Sequence, residues 1–187
     1  MKDEQLVKQF QTGDHRSFDE LMRRYQEKVL NTCYRFIGQE DEARDATQDI
    51  FVKVYWALDS FKPKAKFSTW LYRIAVNHSL NVVRSKKRRA WMKRLNLMGG
   101  EKYEIGLIPD HANNPENVIE QQEQSKLVQS MLNALKEEQR IALVLHRFEG
   151  LSYKEIAKVM NISVSAVESR IFRARQKLAI LLNKLES

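Results

Sequence analysis

Three prolines, six glycines and one cysteine are all that 187 residues hold of the residue types that most constrain a chain. So little glycine and proline leaves few turns for hairpins and argues against a sheet-rich fold, while Leu, Lys, Glu, Gln, Arg and Ala dominate as helix formers. An all-α fold is expected. Cys33 has no second cysteine to pair with; it falls on an apolar helical stripe, where it reads as a small core hydrophobe. No apolar run approaches the length of a membrane span, and the polar start MKDEQLVKQF lacks the apolar core of a signal peptide, so a reducing cytoplasm is the expected location. Histidines are dispersed, at His15, His78, His111 and His146, and carboxylates cluster away from any nucleophile. No metal site, cofactor or enzymatic activity is expected.

What the chain does have is positive charge, unevenly placed. Lys and Arg outnumber Asp and Glu by 32 to 24, a net charge of +8, which points to a polyanion and first to nucleic acid. From Phe61 to Arg94 there are eleven basic residues and no acidic ones. From Leu95 to Gln124 the balance reverses: Lys102 stands against Glu101, Glu104, Asp110, Glu116, Glu120 and Glu123, among Gly99, Gly100, Gly106, Pro109 and Pro115. That stretch reads as a flexible acidic linker, 95–124, between two small helical domains, 1–94 and 125–187. A second acidic run lies at Glu40, Asp41, Glu42, Asp45 and Asp49, with only Arg44 opposing. Such a helix start is unsuited to DNA and suits a basic protein partner.

In the C-terminal half, SYKEIAKVM opens with Ser152 three residues before Glu155, a capping box. The turn NIS follows, and Ser163 is placed to cap a last helix, giving the helix-turn-helix pattern. At about 100° per residue, Val167, Ile171, Ala174, Leu178, Leu181 and Leu182 share one side of that helix. Ser165, Glu168, Ser169, Phe172, Arg173 and Gln176 share the other. Ser and Gln suit base edges, Arg173 suits guanine, Glu168 suits the cytosine amino group and Phe172 a thymine methyl. Arg170, Arg175 and Lys177 lie at the margins, where phosphates would run.

The segment FSTWLYRIAVNHSLNVVRSKKRR carries the other candidate surface. Trp70, Arg73, Asn77, Asn81, Arg84 and Arg88 fall within an arc of about 80°, and apolar residues surround them. Ser68 is a candidate N-cap. A ring beside amides, preceded by Phe61, Phe67 and the lysine-rich loop KPKAK, suits unstacked bases of a single strand, although Phe67 is equally readable as core. His78 lies on the apolar side and reads as a core histidine.

Together these strings resemble the extracytoplasmic function (ECF) group of the bacterial sigma-70 family. DATQDIFVKVYWAL is similar to its core-polymerase-binding part, FSTWLYRIAVNHSLNVVRSKKRR to its promoter-melting and -10-reading part, and GLSYKEIAKVMNISVSAVESRIFRARQKL to the region that reads the -35 element. The resemblance implies a dissociable subunit of RNA polymerase, with Asp45, Gln48, Asp49 and Val52 facing the clamp helices of the largest polymerase subunit and the flap region as a further polymerase contact. It implies that Lys62, Lys64 and Lys66, with the stripe from Trp70 to Arg88, take the melted non-template -10 strand. Ser165, Glu168, Ser169, Arg170, Phe172, Arg173, Arg175 and Gln176 would take the -35 duplex. An anti-sigma factor is a further implied partner. Glu168 departs from the family, standing where a basic residue is frequent. Apart from the resemblance, a helix-turn-helix regulator acting alone, with a ligand-sensing or dimerising first domain, is the alternative.

Overall fold

In a computed structural model the described residues are 1–62, 66–97 and 117–185, and all regular structure among them is helical. The order is α1 (Asp3–Gln11), α2 (Arg16–Ile37), α3 (Glu40–Leu58), α4 (Phe67–Leu97), α5 (Asn117–Ala134), α6 (Glu137–Arg147), α7 (Tyr153–Met160) and α8 (Val164–Leu185). The all-α expectation holds. Most of the span expected to be a linker, residues 98–116, lies outside the described residues; its flanks are the last turn of α4 and the start of α5.

Local chemistry sets the boundaries. Gly38 ends α2 in the left-handed region at φ 80°, its N–H reaching the Tyr34 carbonyl at 2.8 Å. Glu40, Asp41 and Glu42 open α3, where carboxylates oppose the positive end of the helix. The capping box of α7 is formed on both sides: the Glu155 N–H donates to Ser152 Oγ at 3.3 Å and the Ser152 N–H to Glu155 Oε2 at 2.9 Å. Asn161, at φ 54°, ends α7 and makes the turn into α8, where the Ala166 N–H donates to Ser163 Oγ at 3.2 Å. Ser68 does not cap α4. The helix starts one residue earlier, at Phe67, with the Trp70 N–H bonded to the Lys66 carbonyl.

Two hydrophobic cores result. One joins α1, α2, α3 and the start of α4 through Phe10, Leu21, Val29, Cys33, Ile50, Val54, Phe67 and Leu71. Cys33 is fully buried there, and burial pushes its thiol pKa up. The other core centres on α6, α7 and α8 through Leu145, Ile156, Val167, Ile171 and Ala174, and it also takes in Phe36 of α2 and Tyr72, Val76 and Leu80 of α4. Burying apolar area at about 25 cal/mol per Å² makes that shared seam a stabilising contact between the two halves of the chain.

Polar groups fix the seam's register. Glu149 accepts from the Tyr72 hydroxyl at 2.7 Å and faces the Thr32 hydroxyl at 2.8 Å. Arg140 reaches the end of α2, donating to the Arg35 and Phe36 carbonyls at 2.5 and 2.6 Å, which satisfies acceptors that the helix itself leaves open. Burial brings the Arg140 pKa down to about 10. The Arg35 guanidinium lies 3.9 Å from the centre of the Phe148 ring.

Candidate nucleic-acid interface

On α8 the two faces separate as their spacing predicts as far as Ala174. Beyond it Leu178 and Leu181 are only half-buried and Leu182, expected on the core side, is exposed, because the core reaches along the helix only to Leu178. Val167, Ile171 and Ala174 are buried, whereas Ser165, Glu168, Arg173, Arg175 and Gln176 are exposed and Phe172 is 61% exposed. Ser169 is half-buried. Arg170 differs from its neighbours: its guanidinium grips Glu138 of α6 at 2.8 and 2.9 Å, so here it braces α8 against α6. Val164 was not anticipated. It opens the helix exposed, next to Ser165, where a branched apolar group can meet a thymine methyl. Its spacing to Val167 and Ile171, three and seven residues on, is that of the core stripe, so nothing in the sequence marked it as exposed.

The α4 stripe is only partly as expected. Arg73, Asn77, Asn81, Arg84 and Arg88 are exposed along one side. Trp70 is half-buried, its ring 4.9 Å from Phe61 and 5.9 Å from Phe67, and those two phenyl rings belong to the core. Phe61 and Phe67 are therefore not free to stack on bases: the aromatic run closes the N-terminal core, and half-buried Trp70 is the ring that borders the polar stripe. Lys62 and Lys66 are exposed on either side of the loop; Lys64 lies outside the described residues.

Part of this stripe is engaged by the C-terminal half. Lys66 pairs with Glu155 at 2.8 Å, Arg73 donates to the Lys158 carbonyl at 2.8 Å, and Arg84 pairs with Glu137 at 2.5 Å. Lys66 and the Ser152 cap hold the Glu155 carboxyl down at about pKa 2. Each pair is exposed on at least one side, where an ion pair contributes about 0 to 1 kcal/mol and is screened by salt. A phosphate backbone can displace such partners.

The acidic start of α3 forms a separate surface. Asp45, Gln48 and Asp49 are exposed and Val52 is 56% exposed. Beside them α2 and α3 enclose a mainly apolar groove of about 460 Å³, lined by Met22, Gln48, Phe51, Val52, Tyr55 and Trp56 among others. Trp56, in the string DATQDIFVKVYWAL, is 77% exposed and was not singled out from the sequence. An exposed ring over an apolar groove is characteristic of a protein-docking surface. His78 packs behind this surface, its Nδ1 2.6 Å from Lys53 Nζ and its Nε2 3.4 Å from Asp49 Oδ2. Burial, then the Lys53 charge, lowers its pKa, so it is a neutral brace between α3 and α4. Among the described residues no group of His, Cys, Asp or Glu could hold a metal ion, and no helix is long and apolar enough to cross a membrane.

Comparison with known proteins adds the following. Residues 21–89 match the family described as Sigma-70 region 2, and residues 125–178 match Sigma-70, region 4. The chain is 39% identical over 178 residues to the ECF RNA polymerase sigma-E factor of Escherichia coli strain K12, covering 95% of this chain and 93% of that protein. It is 40% identical over 184 residues to the RNA polymerase sigma-H factor of Pseudomonas aeruginosa, covering 98% and 95%. In fold it is similar to CnrH, solved in complex with the cytosolic domain of CnrY, with a TM-score of 0.73 and 29% identity over 97% of both chains.

Proposed function

This chain belongs to the ECF group of the bacterial sigma-70 family, and from that premise we propose how its surfaces divide the work of promoter recognition. Its function is to direct transcription initiation through core RNA polymerase and promoter DNA. The region 2 match covers most of the N-terminal half, which sets aside the alternative of a regulator with a ligand-sensing first domain.

In this reading residues 1–94 bind polymerase and capture the -10 strand, 95–124 link, and 125–187 read the -35 element. Asn77 and Asn81 discriminate bases of the melted non-template strand, while Arg73, Arg84, Arg88 and the lysines at 62, 64 and 66 hold its phosphates. On α8, Arg173, Gln176, Glu168, Ser165 and Phe172 read the major groove of the -35 duplex, and Arg175 takes phosphate. Arg170 and Ser169 complete that set once Glu138 yields. Asp45, Gln48, Asp49 and Val52, with Trp56 beside them, dock on the clamp helices of the largest polymerase subunit, and the C-terminal half meets the flap. An anti-sigma factor covers these surfaces in the restrained state; CnrH, similar in fold, is solved with the cytosolic domain of CnrY bound.

The observation that carries the reading is the presence of two exposed polar, cationic faces on two different helices, α4 and α8, one suited to separated bases and one to a groove. Neither suffices alone. Opening about a dozen base pairs at about 1.4 kcal/mol per step costs on the order of 15 kcal/mol, whereas each stacked base returns about 1 to 3 kcal/mol. A larger machine must bend and untwist the DNA while this chain traps what it exposes. The test is selection of promoters from a random library by reconstituted holoenzyme. Two short motifs at a fixed spacing are expected; equally tight, specific duplex binding by the chain without polymerase would overturn the reading.

A further inference from the structure

The exposed side of α4 does not stop at Arg88. Eighteen residues make five full turns at 3.6 residues per turn, so Trp91 repeats the angular position of Arg73, and Leu95 that of Asn77. Trp91 is 62% exposed, and Met92 and Leu95 are also largely exposed. Three large exposed apolar side chains within five residues of sequence are poor for solubility alone. They sit in the most basic stretch of the chain. Lys87, Arg88, Arg89, Lys93 and Arg94 are exposed, with no carboxylate partner among the described residues, and Lys86 is paired with Glu42. No acidic side chain occurs between Phe61 and Arg94.

We infer that Trp91 is a further DNA-contacting residue: its ring stacks on a base at the far end of the strand captured along α4, and the flanking Lys and Arg side chains hold the adjoining phosphates. The inference rests on the proposed role of α4 in taking the -10 strand and extends it by one to two helical turns. Three observations together favour nucleic acid as the occupant. The face continues the Arg73, Asn77, Asn81, Arg84 stripe without a break in phase. Its charge is of one sign, opposite to that of a phosphate backbone. And an aromatic ring between cations is the pairing that grips a single strand without demanding one sequence. The geometry also supplies what the N-terminal end of the stripe lacks. Phe61 and Phe67 are buried and Trp70 is half-buried, so Trp91 is the one freely exposed ring in line with the stripe among the described residues of α4.

The test uses holoenzyme reconstituted from core polymerase and the full chain, on a fork-junction DNA that is duplex through the -35 element and single-stranded in the non-template -10 segment. The promoter is the one selected by wild-type holoenzyme. Trp91→Ala is expected to weaken fork binding roughly 5- to 100-fold, the equivalent of one lost stacking contact. Affinity for core polymerase and the thermal midpoint of the free chain should be unchanged, because the ring is exposed. Trp91→Phe should restore most of the loss. Asn81→Ala is the control for the underlying reading. If Asn81→Ala weakens fork binding and Trp91→Ala does not, the inference fails and the -10 assignment stands; if neither does, the -10 assignment fails first. If Trp91→Ala instead loses core polymerase, the ring docks on protein and the inference is overturned.

Discussion

Glu149 and Tyr72 stand 77 residues apart in sequence and 2.7 Å apart in space, the carboxylate of one accepting the hydroxyl of the other across the seam between the two halves of the chain. The second carboxylate oxygen faces Thr32 at 2.8 Å, whose single proton is shared with the Lys28 carbonyl at 2.9 Å. Burial, reinforced by the Glu149 charge, raises the Tyr72 pKa, so this phenol is a donor at any working pH. The same seam brings Glu155, the Lys158 carbonyl and Glu137 onto Lys66, Arg73 and Arg84. In this arrangement part of the surface proposed for the -10 strand is occupied by the C-terminal half of the chain.

Glu149→Ala leaves a buried phenol without its acceptor and should cost about 1 to 3 kcal/mol of stability. The two halves should separate, seen as a larger radius of gyration in small-angle scattering, and the free chain should bind single-stranded -10 DNA several-fold more tightly. An unchanged radius together with unchanged DNA affinity would show that the seam is not held by this residue.

Phe67→Ala separates core from reader. Phe67 is 1% exposed, so its loss should cost about 3 to 5 kcal/mol in denaturant unfolding. At a temperature where the variant is still folded, -10 base preference should be unaltered. A variant of wild-type stability with altered base preference would mean the ring faces DNA after all.

Arg173→Ala and Asn81→Ala should have opposite signatures. The first is expected to weaken -35 duplex binding by about 1 to 3 kcal/mol and relax preference at one base pair; the second should spare the -35 duplex and blunt -10 discrimination. Binding titrations of holoenzyme on each element alone distinguish them. Identical losses on both elements would indicate general unfolding and remove the assignment of roles.

Glu155 links folding to pH. Its pKa of about 2 in the folded chain lies below the ordinary carboxylate value of about 4.3, so its contribution is complete above about pH 4.5 and is lost as pH falls toward 2. Thermal melts at pH 7 and pH 3 should show a larger drop for the wild type than for Glu155→Gln, which has no charge to lose. Equal drops would mean that Lys66 and the Ser152 cap do not hold the carboxylate in solution.

The helices and the two faces of α8 were legible in the sequence because caps and periodicity act over three to seven residues: Ser152 with Glu155, Gly38 after Ile37, Val167 with Ile171 and Ala174. The family strings added what spacing alone left open. The seam was not legible. Glu149, Arg140 and Tyr72 carry no local pattern that announces partners a hundred or so residues away, and Arg140 bonds to carbonyls, which every residue has. Phe61 and Phe67 were ambiguous for a related reason. Aromatic rings beside lysines serve equally as base platforms or as the lid of a core, and only the position of α2 and α3 decides between them.

The central claim is that the -10 strand is captured on the exposed side of α4, and it is tested most directly by holoenzyme in which Asn77, Asn81, Arg84 and Arg88 are all replaced by Ala. Reactivity of unpaired thymines to permanganate, read beside the rate of RNA synthesis, reports the bubble. Assembly with core polymerase and -35 binding should persist while both signals fall by at least tenfold; promoter opening and RNA synthesis at the wild-type rate would contradict the account.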